Sequence, residues 1–87
     1  MYKVINVTDK EGNIKEEFME KLRQVHPDMK GLLLYPLSTA QRLCFVWADK
    51  SEKMLRTSPI ESYKEDVYTV TVVTENSIYT LERVCTY

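Results

Sequence analysis

Two side chains in this sequence could form a nucleophile and its base, Cys44 and the single histidine, His26. A thiol becomes a useful nucleophile when a neighbouring base or cation holds it as thiolate. Cys44 stands between Leu43 and Phe45 in "RLCFVWAD", the setting of a small packed hydrophobe, and no motif joins it to His26. Cys44 and Cys85 lack CxxC spacing and are expected to be free thiols. One histidine cannot supply a His-rich metal site. With two glycines in the chain, no phosphate-cradling loop is present, and no nucleophile elbow, zinc spacing or calcium loop occurs. No enzyme, metal or cofactor is expected.

Side chains suited to binding are more plentiful. Glu61, Glu65 and Asp66 form a carboxylate group interrupted by Lys64, and the six tyrosines outnumber the places one small core offers. Tyr combines apolar area with a polar tip, which favours it at interfaces. Base stacking would need these rings interleaved with basic residues, and only Lys3, Lys64 and Arg83 stand close to them in sequence.

The elements that position these groups follow from periodicity. "YKVINV" reads as a first strand. Asn13 is placed to cap a helix, with Glu16 at the capping-box position and Ile14, Phe18, Leu22 and Val25 as its apolar stripe. Pro27 disfavours helical geometry at His26, so the helix should end near Val25. Everything after it reads as β: "GLLLYPL", then "RLCFVWAD", whose two sides are both apolar, as in a strand covered on both faces or in the wall of a small barrel. "MLRTSPIESY" must be an edge or bend sharply at Pro59, which cannot donate to a ladder.

The last hairpin, "VYTVTVVT" and "SIYTLERV", has a readable register. Pairing positions that sum to 151 sets Val72 opposite Tyr79 and Val70 opposite Leu81, leaving Thr69, Thr71, Thr80 and Glu82 on the other side. Glu75 suits positive φ poorly, which favours a four-residue type I connection over a tight primed turn. The predicted architecture is α+β: one helix packed on a curled, mostly antiparallel sheet or small half-open barrel of about six strands. The expected core is Phe18, Leu22, Leu33, Phe45, Trp47, Val70, Val72 and Leu81.

Size and charge bound the function. A single domain of 87 residues buries only about 60–65% of its unfolded surface, so pairing with a partner, or with itself as a homodimer, would add to a thin core. Residues 1–30 hold six basic and six acidic side chains and residues 31–87 hold six and seven, so no bulk attraction to nucleic acid exists. The N-terminus shows no signal-peptide pattern and no apolar run is long enough to span a membrane, which predicts a cytoplasmic protein without a membrane partner.

"LRTSPIES" and "VTENSIYTL" carry a resemblance. A Thr-Ser-x-Ile step, a strand, and then a Thr-x-Asn-Ser-x-Tyr hairpin resemble the C-terminal half of small β-rich proteins encoded by phages and mobile elements of low-GC bacteria, over Thr57 to Leu81. Such proteins include anti-CRISPR and other anti-defence inhibitors that bind an effector stoichiometrically. The resemblance implies a non-catalytic protein-binding role; a small nucleic-acid-binding barrel in mobile-element regulation is the alternative. The surface expected to bind is the threonine lane with its acidic neighbours: Tyr63, Glu65, Asp66, Thr69, Thr71 and Glu82, facing a protein partner such as a basic nuclease effector.

Overall fold

The computed structural model describes residues 1–49 and 53–84. The elements are β1 (Tyr2–Thr8), α1 (Glu16–Val25), β2 (Lys30–Leu33), β3 (Arg42–Trp47), β4 (Met54–Glu65), β5 (Thr69–Thr74) and β6 (Ile78–Arg83). Each strand pairs antiparallel with the next, and β6 returns to β1, so the sheet closes into a ring rather than remaining half open. The ring is uneven. β1 and β6 pair from Tyr2↔Arg83 to Thr8↔Ile78, whereas β1 and β2 share only Tyr2↔Gly31 and Lys3↔Lys30.

Closure depends on β4, whose first half pairs with β3 and whose second half pairs with β5. Register shifts fall on either side of Pro59, between Arg42 and Cys44 against β3 and between Ile60 and Ser62 against β5. Shifts of this kind bend a strand and raise its twist. Pro59 therefore marks the bend expected of it, inside a continuous strand and not at an edge. Its carbonyl still accepts from the Glu75 N–H at 3.0 Å.

The β5–β6 hairpin has the register read from its pattern, with Val70↔Leu81, Thr71↔Thr80 and Val72↔Tyr79. Neither Glu75 nor Asn76 has positive φ, so the turn is not of the primed kind. Thr74 and Ser77 close it: the Ser77 N–H donates to Thr74 Oγ1 at 3.1 Å, and the Thr74 N–H donates to the Ser77 carbonyl at 2.8 Å.

The helix differs from expectation at its start. Asp9 Oδ1 accepts the backbone N–H groups of Glu11 and Asn13, at 2.9 and 3.0 Å, in a loop that Gly12 completes with φ +92°. These bonds, the Asn13 backbone first, hold the Asp9 carboxyl below its usual pKa. Asn13 is held in that loop and Ile14 bridges to Thr8, so Lys15 precedes the first turn and no side chain caps it. The helix ends at Val25, as Pro27 requires. Ile14 and Val25 are exposed; Phe18, Met19, Leu22 and then His26 face the core.

That core contains Phe45, Trp47, Val70, Val72 and Leu81, as expected, together with Val4, Val7, Leu43 and Tyr79. Phe18, Leu22 and Leu33 pack against it half-buried. Burial pushes the Tyr79 hydroxyl above its usual pKa. Among the described residues, no helix is long and apolar enough to cross a membrane. The polar "KSEK" at 50–53, whose composition predicts a turn between β3 and β4, falls mostly outside the described residues, as do Cys85 and Tyr87.

Candidate functional site

The residues expected to bind do not share one surface. Directly opposed residues of an antiparallel pair project to the same face. Tyr63 lies opposite Val72 and Glu65 opposite Val70, which puts both on the core-side parity of the sheet, near its open end. Thr69, Thr71 and Glu82 lie on the outer face, where Thr71 meets Thr80 and Lys64, and Glu82 meets Thr69 and Lys3. Asp66 is in the β4–β5 turn, its N–H donating to the Thr69 carbonyl at 2.8 Å. Glu61 is withdrawn from the acidic group by an ion pair with Lys10, whose ammonium also donates to the Thr74 carbonyl. The threonine lane is real as a register feature, but lysines border it and Tyr63 and Glu65 belong to the other side.

Cys44 and His26 are also separated. His26 stacks on Trp47, with ring centroids 4.0 Å apart and planes within 10°, and its Nδ1 pairs with the Asp49 carboxylate. Trp47 faces inward, meeting Phe45 edge-on at 5.0 Å, while Cys44 alternates to the outer face of β3. The thiol and the imidazole thus lie on opposite sides of one strand. The helix-end role expected of His26 holds, since its N–H donates to the Leu22 carbonyl at 2.7 Å, and the buried ring also packs the helix against β3. Among the described residues, no three His, Cys, Asp or Glu side chains gather as metal ligands.

What the periodicity left open was which side of β3 would be covered. Leu43, Phe45 and Trp47 are buried, and the apolar residues on the other side form part of an uncovered wall. Across β2, β3 and the first half of β4, Leu32 pairs with Val46 and Val46 with Met54, an outward row of three aliphatic side chains. Leu32 is 53% exposed, Leu34 48% and Met54 46%. Leu34 donates its N–H to the Cys44 carbonyl, and Cys44 lies opposite Arg56, so a second row runs beside the first. Isolated exposed aliphatics need no explanation, but a contiguous row does.

Basic groups border this wall. Lys30, Arg42 and Arg56 project outward from the same strands, and no described outward position of β2, β3 or the first half of β4 is acidic. Arg42, Arg56, Cys44, Gln41 and Tyr35 line a cleft of about 250 Å³. Arg42 Nη1 donates to the Thr57 carbonyl at 3.0 Å, which orients its guanidinium. The two apolar sides of "RLCFVWAD" allow either cover on both faces or the wall of a small barrel, and the structure has the second, with one side left uncovered. The signal was there, in the match between Leu32, Val46 and Met54.

Compared with known proteins, the chain matches no family model, no curated protein and no solved structure.

Proposed function

We propose that this is a non-catalytic protein-binding domain whose partner covers the outer wall of β2, β3 and β4. The single observation that carries the reading is the outward row Leu32–Val46–Met54, with Leu32 and Met54 exposed and Val46 half-buried between them, in a wall with Lys30, Arg42 and Arg56 at its margins. An apolar centre inside a polar rim is the anatomy of a protein interface. Lys30 shares a pocket with Asp28 and Asp49, but the charged side chains of the described strand residues that border the row are basic, so the complementary surface is acidic, the reverse of the basic effector suggested by Glu65 and Asp66. Nucleic acid fits less well: Tyr35 is the one aromatic ring lining the cleft among the described residues, and a phosphate backbone would leave the aliphatic row without an apolar counterpart. The setting implied by the resemblance over Thr57–Leu81 is a phage or mobile element, with a bacterial defence effector as the bound protein.

Capture from nuclease-treated bacterial lysate, with the wild-type chain beside Leu32→Asp/Met54→Asp, tests this. The expected result is a discrete protein retained by the wild type and lost from the double variant, with the variant's melting temperature unchanged. Its identification as a defence effector supports inhibition. Retention by both chains, or binding that disappears with nuclease, overturns the reading.

A further inference from the structure

We infer that the cleft between Arg42 and Arg56 is an anion site that takes a carboxylate side chain of the acidic partner. The inference rests on the reading of the wall as a protein-binding surface and adds its anchoring chemistry.

Three observations converge on it. First, the two arginines are arranged to share one ligand. Arg56 stands opposite Cys44 on the outer face, and Arg42 lies one outward position further along β3. The register shift between Arg42 and Cys44 sets Arg42 opposite Pro59, and both arginines still line the same cleft of about 250 Å³, within reach of one group. Second, their charge is unmet. Among the described residues, neither guanidinium has an ion pair, and the lining residues Tyr35, Gln41 and Cys44 carry no carboxylate. Two like charges facing one cleft repel, and an anion between them removes that repulsion while accepting charge-assisted hydrogen bonds from both. Third, the site is partly preorganised. Arg42 is tethered through Nη1 to the Thr57 carbonyl, which leaves its other N–H groups for a ligand, and the planar guanidinium matches a carboxylate in two-point geometry. Tyr35, 58% exposed, lines the same cleft, where its ring can cover the apolar stem of an inserted Glu or Asp.

A carboxylate is preferred to a phosphate because of what lies beside the cleft. The aliphatic row adjoins it through Leu34 and Cys44, so a ligand group entering between the arginines brings its neighbours onto Leu32, Val46 and Met54. A peptide alternating acidic and aliphatic residues satisfies both surfaces, whereas an oligonucleotide satisfies only the first.

The test is a titration of the intact protein followed by the arginine Nε–H and backbone amide resonances. The probes are the blocked peptide Leu-Glu-Leu-Glu, its neutral counterpart Leu-Gln-Leu-Gln, inorganic phosphate and an oligo-dT strand. The expected result is saturable shifts at Arg42 and Arg56 with the acidic peptide, none with the neutral one, and binding weakened about tenfold or more in Arg56→Gln. The Arg56 side chain makes no hydrogen bond or ion pair among the described residues, so this substitution tests the ligand contact with the fold unchanged. Equal binding of the two peptides, or oligo-dT or phosphate saturating the arginines more tightly than the acidic peptide, overturns the inference. So does loss of partner capture in Leu32→Asp/Met54→Asp with full capture in Arg56→Gln, a result under which the wall still binds a protein but the cleft does not anchor it.

Discussion

Trp47 shows how one residue can tie two layers of this small protein together. Its indole is buried, meets Phe45 edge-on and offers its face to His26, whose ring arrives at the end of α1 and pairs with Asp49. Stacked and T-shaped contacts add to the area that such rings bury. Trp47→Ala removes both partners at once and opens a cavity between the helix and β3, and we expect a loss of about 3–5 kcal/mol in denaturant unfolding. Unchanged stability would mean that the helix does not depend on this contact. The helix-end role read for His26 from Pro27 is joined here by a packing role of its ring.

Among the elements, β2 is the weakest part of the ring. It is four residues long and holds β1 through two register pairs. Gly31 permits its approach to β3: a Cβ there would lie 2.3 Å from the Val46 carbonyl oxygen and 2.5 Å from the Phe45 ring. The first of these neighbours is backbone and cannot rotate away. Gly31→Ala should therefore cost about 1–3 kcal/mol by overpacking and loosen the β1–β2 seam before the rest of the ring. Hydrogen exchange would show it as faster exchange in β1 and β2 with β5 and β6 protected; uniform acceleration, or none, would refute that order. β5 and β6, locked by the Thr74–Ser77 turn and five register pairs, are the stable counterpart.

For the whole molecule, charge is nearly balanced in sum but divided in space. The outer wall of β2, β3 and β4 carries Lys30, Arg42 and Arg56, while the β4–β5 end carries Glu65 and Asp66. A partner on the wall is steered by the first group and indifferent to the second. Glu65→Lys/Asp66→Lys should leave partner capture within about twofold of wild type, a difference of about 0.4 kcal/mol. A tenfold loss would move the interface to the β4–β5 end, and a gain in oligonucleotide binding that steepens with falling salt would favour a nucleic-acid role.

The amino-acid sequence by itself determined what depends on local geometry. Pro27 ended the helix because its ring restricts the residue before it, Pro59 bent β4 because it lacks a donor, and the β5–β6 register followed from keeping Val70, Val72, Tyr79 and Leu81 on one face. Tertiary structure decided what depends on competition and closure. Asn13 lost its capping role because Asp9, four residues earlier, binds its N–H, and His26 replaced Val25 on the buried stripe because the indole of Trp47 was there to receive it. Alternation fixes which residues share a face but leaves open which face a closing sheet encloses. That choice buried Leu43, Phe45 and Trp47, separated Tyr63 and Glu65 from the threonines, and left Leu32, Val46 and Met54 on the outer wall.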